Sequence, residues 1–165
     1  MTSRCVKPVF ALLAVLAASL AFAAPPAGLN WEVHGTGSGA VTVFTGGSST
    51  GPAMPQYIGN ATYSLTLSNP IFFASNGAGG VCAIATGTGG IAAADGSTIN
   101  FATVGMLCNA ANGGEGPGAV HYNGTYGITG GTGRFVGVLG GGSLTATFNF
   151  NSPHFIKIDG TITGI

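Results

Sequence analysis

Where hydrophobic positions repeat along this chain, they repeat with a period of two. Tyr63, Leu65 and Leu67 alternate with Thr62, Ser64 and Thr66. Leu144, Ala146, Phe148 and Phe150 alternate with Thr145, Thr147 and Asn149, and Ile156, Ile158 and Ile162 with Lys157, Asp159 and Thr161. Successive side chains of a strand point to opposite faces, so this pattern predicts strands with one buried face. No stretch carries the 3.6-residue period of an amphipathic helix. Further strands are expected at residues 29–34, 40–44, 61–67, 71–74 and 81–86. Asp95-Gly96 joins two more, 91–94 and 98–104, as a hairpin, because both central positions of a tight hairpin turn favour positive φ. The glycine clusters at 130–133 and 140–142 and Asn151-Ser152-Pro153 read as turns. They divide the C-terminal third into a four-strand meander, 124–129, 134–139, 143–150 and 155–163. Residues 45–57 and 109–118, rich in small residues, read as surface loops.

Roughly ten short strands without helical crossovers predict an all-β fold, an antiparallel meander. Closure into a small barrel of about eight strands is favoured, because a sparsely charged sheet with open edges aggregates. Composition sharpens this picture. Of 165 residues 31 are glycine and only 5% are charged, so solubility rests on Thr, Ser and Asn.

The N-terminus changes the compartment. Arg4 and Lys7 precede the apolar run 9–22, and Ala21-Phe22-Ala23 places small residues where a signal peptidase reads them. The run is shorter than the about 20 residues of a membrane span, and Pro25-Pro26 comes directly after it. A signal peptide over 1–23, cleaved after Ala23, leaves one glycine-rich domain, 24–165, secreted or periplasmic, with no integral membrane span. That chain keeps Arg134 and Lys157 against Glu32, Asp95, Glu115 and Asp159, a net −2, which lacks the basic footprint of a nucleic-acid binder. Cys82 and Cys108 remain as a pair in an oxidising compartment, so a disulfide is expected.

The stretch Tyr126–Gly142, YGITGGTGRFVGVLGGG, could be a phosphate loop or the turns of a curving sheet. A phosphate loop leads into a helix and usually carries a lysine. The residues after Gly133 are strand-like, and no lysine is present. The same stretch resembles the glycine-rich hairpin of the allene oxide cyclase and dirigent superfamily. That resemblance covers about 17 residues. It implies an eight-stranded antiparallel barrel with a central cavity, often trimeric in the plant members, whose interior acidic and polar groups steer a reactive intermediate. The chain's acids lie outside the shared stretch.

Candidate chemistry is sparse. Glu32 and His34 share a strand face opposite Trp31 and Val33, a face expected toward solvent. His34, His121 and His154 lack metal-ligand spacing, so neither metal nor cofactor is expected. No Gly-x-Ser-x-Gly elbow occurs. Arg134 follows the glycine turn and offers two parallel hydrogen bonds to a carboxylate. Tyr57, Tyr63, Tyr122 and Tyr126, with Trp31 and the phenylalanines, are placed either to line a ligand cavity or to fill a core. The ligand-binding candidates are Tyr63, Tyr122, Tyr126, Arg134, Phe135 and Phe148. The favoured expectation is an exported, non-catalytic barrel that binds a small apolar ligand or partner. A cyclase or isomerase of the resembled superfamily is the alternative, and a self-associating envelope protein, a homo-oligomer, is the third reading.

Overall fold

The computed structural model describes residues 28–77, 79–109, 119–150 and 153–165. The expected signal peptide over 1–23, Glu115, and nearly all of the expected 109–118 loop lie outside these residues. Eight antiparallel strands succeed one another: β1 (Leu29–Thr42), β2 (Gly46–Pro55), β3 (Ala61–Ser75), β4 (Val81–Ala93), β5 (Thr98–Asn109), β6 (Val120–Gly131), β7 (Leu139–Phe148) and β8 (His154–Thr163). Each pairs with the next, and β8 returns to β1, so the meander closes into a barrel. The expected all-β barrel is the fold.

The period-two pattern works as read within the strands; Phe150, expected on the buried face with Leu144, Ala146 and Phe148, falls beyond the end of β7 and is exposed. Trp31, Val33, Tyr63, Leu65, Leu67, Ile91, Ile99, Phe101, Leu107, Tyr122, Leu144, Ile158 and Ile162 point inward and are buried. Outward positions carry mainly Thr and Ser, with Glu32, Lys157 and Asp159 and a minority of apolar residues such as Met54, Ile84, Met106 and Phe155. This polarity is the reverse of a bilayer-spanning barrel, whose apolar residues face lipid. Among the described residues no helix is long and apolar enough to cross a membrane.

The boundaries differ from the pattern in six places. The expected loop 45–57 contains β2, missed because its inward positions include Ser49, Gly51 and Ala53 rather than large apolar residues. Pairs of expected short strands merge across glycine or Asn-Pro: 29–34 with 40–44 in β1, 61–67 with 71–74 in β3, and 81–86 with 91–94 in β4. In β3 the junction shows as register shifts between Ser68 and Ala74. The expected strand 134–139 is instead a 3-10 turn at Gly133–Phe135 and a connection to β7. The expected turn at 140–142 lies inside β7, so the C-terminal third contributes three strands to the barrel rather than four.

Volume explains that last correction. Tyr126, Gly142, Gly160 and Trp31 face one another across β6, β7, β8 and β1. A Cβ on Gly160 would sit 2.7 Å from the Tyr126 hydroxyl, and one on Gly142 would strike the Asp159 carbonyl. Gly160 thus leaves room for the Tyr126 ring, the small-against-large complement of a narrow barrel, while Gly142 lets the backbones of β7 and β8 approach closely. The Asp95-Gly96 hairpin forms, but of the two positions only Gly96 takes positive φ, at 82°; the Ala93 amide donates to the Ser97 carbonyl, and Asp95 Oδ1 accepts from the Ser97 amide at 2.9 Å.

The 3-10 turn closes one end of the barrel. Phe135 enters the interior and is buried, while Arg134 stays at the rim. Its guanidinium pairs with Asp95 at 3.3 Å, donates to the Ile58 carbonyl at 3.3 Å and lies 4.8 Å from the Phe135 ring centre. One side chain thus ties together the β2–β3, β4–β5 and β6–β7 connections. Toward the other end, Cys82 and Cys108 occupy paired positions of β4 and β5 and form the expected disulfide.

Candidate functional site

Five of the six sequence candidates, Tyr63, Tyr122, Tyr126, Phe135 and Phe148, are buried among the core side chains. Arg134 alone stands half-exposed. Tyr126 meets Trp31 and Phe101 edge-on, with ring centres 6.3 and 5.8 Å apart. The hydroxyls differ. Tyr63 is within 2.8 Å of Ser49 Oγ and Tyr122 within 2.8 Å of Thr103 Oγ1, whereas the buried Tyr126 hydroxyl has no partner. Burial raises the pKa of all three phenols, and the hydrogen bonds to Ser49 and Thr103 only partly offset it for Tyr63 and Tyr122. Tyr126 is pushed up to about 12 by burial and then by the nearby Asp159 charge. These groups are neutral phenols at physiological pH, able to donate a proton but not to act as a base. Among the described acids Glu32, Asp95 and Asp159, none is buried.

A second buried polar group joins the tyrosines. His154, at the start of β8, places Nδ1 2.9 Å from Ser49 Oγ and packs edge-on against Phe148 at 5.2 Å. Burial lowers its pKa, while a hydrogen bond to the Asn149 backbone works the other way. With the ring neutral and Nδ1 unprotonated, the Tyr63 hydroxyl donates to Ser49, which donates to His154. The pairing of Ser49 with His154 has the reach of a nucleophile and its base. Both are at most 3% exposed, so substrate has no approach. The chain Tyr63–Ser49–His154 is a structural tie across β3, β2 and β8. Sequence spacing gave no sign of it, since its members lie on three different strands.

The open concavity lies outside. A groove of about 730 Å³ crosses the outer wall of β2, β1, β8, β7 and β6. Met54 and Phe155 supply its exposed apolar edges; His34, His121, Lys157 and a row of threonines including Thr145 supply polar groups. Tyr122 is the one sequence candidate among its lining residues. Glu32 and His34 do share the outer face, with Trp31 and Val33 inside. Glu32 Oε1 lies 2.9 Å from His34 Nε2 and 3.0 Å from Lys157 Nζ, which also reaches Asp159 at 3.0 Å. The Lys157 hydrogen bond leads the factors that lower the Glu32 pKa, and the Asp159 hydrogen bond leads those that raise that of Lys157. His34 and His121 border the groove while His154 is inside the barrel. Among the described residues no three His, Cys, Asp or Glu side chains form a metal-binding group.

At the Phe135 end, Leu29, Tyr57, Arg134, Phe135 and Ile165 line a smaller recess of about 320 Å³. Here Arg134 is engaged by Asp95 rather than presented alone to a ligand. Comparison of the chain with models of known protein families, with curated proteins and with solved structures finds no match.

Proposed function

We propose that this chain is an exported, non-catalytic barrel that holds one small, largely apolar molecule on its outer wall. The observation that carries this reading is the groove over β2, β1, β8, β7 and β6. Its volume of about 730 Å³ falls within the range of small-molecule sites, and Met54 and Phe155 offer apolar surface beside a few polar groups. The Cys82–Cys108 bridge fits an oxidising compartment. The cyclase or isomerase alternative rests on the hairpin resemblance at Tyr126–Gly142. It draws less support, because the interior offers neutral phenols and no carboxylate among the described residues.

Titration with an environment-sensitive apolar fluorophore tests the proposal. Saturable binding at one site is expected, weakened about thirtyfold by Phe155→Ser combined with Met54→Ser, since each removes apolar contact worth on the order of 1 kcal/mol. Binding that never saturates, or that ignores both substitutions, overturns it.

A further inference from the structure

The two ends of the barrel differ in kind. In an eight-stranded meander the β1–β2, β3–β4, β5–β6 and β7–β8 connections all close at the end away from Phe135. Phenylalanine stands out from three of them. Phe44 follows β1 and is 62% exposed, Phe72 and Phe73 near the tip of β3 are 77% and 49% exposed, and Phe150 after β7 is 85% exposed. Phe44 and Phe73 stack on each other at 5.8 Å. On the adjoining wall Ile71, Ile84 and Met106 are in register across β3, β4 and β5, and all are substantially exposed.

Charge runs the other way. Among the described residues, Glu32, Asp95, Arg134, Lys157 and Asp159 all lie toward the middle of the barrel or its Phe135 end, and the described part of the aromatic end holds no Asp, Glu, Lys or Arg. Phe72 is also held at φ 57°, a left-handed conformation that a bulky residue adopts only at a cost. The backbone strain there holds an aromatic side chain out in solvent.

We propose that this end seats on a lipid bilayer, with the phenylalanine tips entering the boundary between headgroups and acyl chains. The exposed aromatic side chains are dispersed over three separate strand ends and connections. Fluid lipid accepts such a dispersed set without a matching socket, whereas a second protein copy must supply one. The lack of cations in the described part of this end selects a zwitterionic surface rather than an anionic one, since attraction to anionic lipid needs Lys or Arg. The binding is therefore apolar and insensitive to salt. The disulfide between Cys82 and Cys108 braces the two strands behind the Ile84–Met106 wall against this load.

Flotation of the exported protein with phosphatidylcholine vesicles tests the assignment. The protein is expected to rise with the vesicles equally at about 0.1 M and about 1 M salt. Phe72→Asn with Phe150→Ser is expected to lower the partition coefficient about tenfold or more, while the groove variant Met54→Ser leaves it unchanged. Asn tolerates the left-handed backbone at position 72, and both replaced rings are exposed, so circular dichroism of the double variant should match the parent. Failure to float, flotation that requires anionic lipid or vanishes in salt, or flotation indifferent to the double variant each overturns the proposal. So does concentration-dependent self-association in ultracentrifugation that the double variant abolishes while the parent ignores vesicles; the aromatic end then belongs to a second copy.

Discussion

Tyr63, Tyr122 and Tyr126 point into one interior, and only Tyr126 leaves its hydroxyl without a partner. A buried polar group without a hydrogen bond costs stability, whereas removing one member of a satisfied pair strands the other. Tyr126→Phe should therefore hold or raise the urea midpoint, by up to about 1 kcal/mol in unfolding free energy, while Tyr63→Phe and Tyr122→Phe each lower it by about 1 kcal/mol. A loss at Tyr126 equal to the other two would show that its hydroxyl is satisfied in solution. His154 adds a pH effect at the same scale. Its folded pKa lies below the ordinary histidine value because burial opposes the charge, so the unfolded chain takes up the proton first as pH falls. The stabilisation is complete above the unfolded value near 6.5 and is lost on acidification toward and through the folded pKa. Protonation also turns Nδ1 into a donor and breaks the order Tyr63–Ser49–His154. The lowered pKa values of Glu32 and Asp95 act in a separate window, below about pH 4.5. Urea midpoints measured from about pH 7 to 5 should fall in the parent and stay level in His154→Gln; equal slopes would remove His154 as the cause.

At the scale of elements, the sequence was legible where large apolar residues alternate and misleading where glycine does. β3, β8 and the start of β1 announce themselves through Tyr63-Leu65-Leu67, Ile156-Ile158-Ile162 and Trp31-Val33. β2 was hidden because its inward positions are small: Ser49 turns its hydroxyl to Tyr63, and a Cβ on Gly51 would strike the Thr36 carbonyl of β1. Gly140-Gly141-Gly142 has the composition of a turn, yet a Cβ on any of the three would press on the backbone of a neighbouring strand, so glycine here serves close strand approach inside β7. Conversely, Arg134-Phe135-Val136 alternates like a strand, yet Phe135 fills the end of the barrel from a 3-10 turn. Tyr63, Tyr122, Tyr126, Phe135 and Phe148 lie inside, where they pack as core, whereas Tyr57 and half of the phenylalanines, expected inside with them, stand exposed at loops, strand ends and the outer wall. The outer groove could not be read at all, because Met54, His34, Phe155, Thr145 and His121 come together only through the register of five strands, and each alone is an ordinary outward residue.

At the scale of the whole molecule, closure replaces charge as the protection against association. Each described strand has partners on both sides, so the backbone offers no free edge to a neighbouring chain despite few charged gatekeepers. The last seam is the pairing of β8 with β1, which sets Leu29 opposite Ile162 and brings Leu29 and Ile165 to one recess. Deleting β8 strips a partner from both β1 and β7 and uncovers Trp31, Val33 and Leu144. Such a chain should pass into the insoluble fraction. The order of the strands along the chain is less important than their pairing. A circular permutant that links residue 165 to residue 28 by a short glycine-serine bridge and opens between β5 and β6 keeps every ladder except the covalent link between two strands. It should remain soluble and monomeric at the concentrations where the parent is, with the same β-sheet circular dichroism, as judged by sedimentation velocity. A soluble, compact monomer lacking β8 would show that the exterior threonines, and not the sealed seam, keep this molecule apart from its copies.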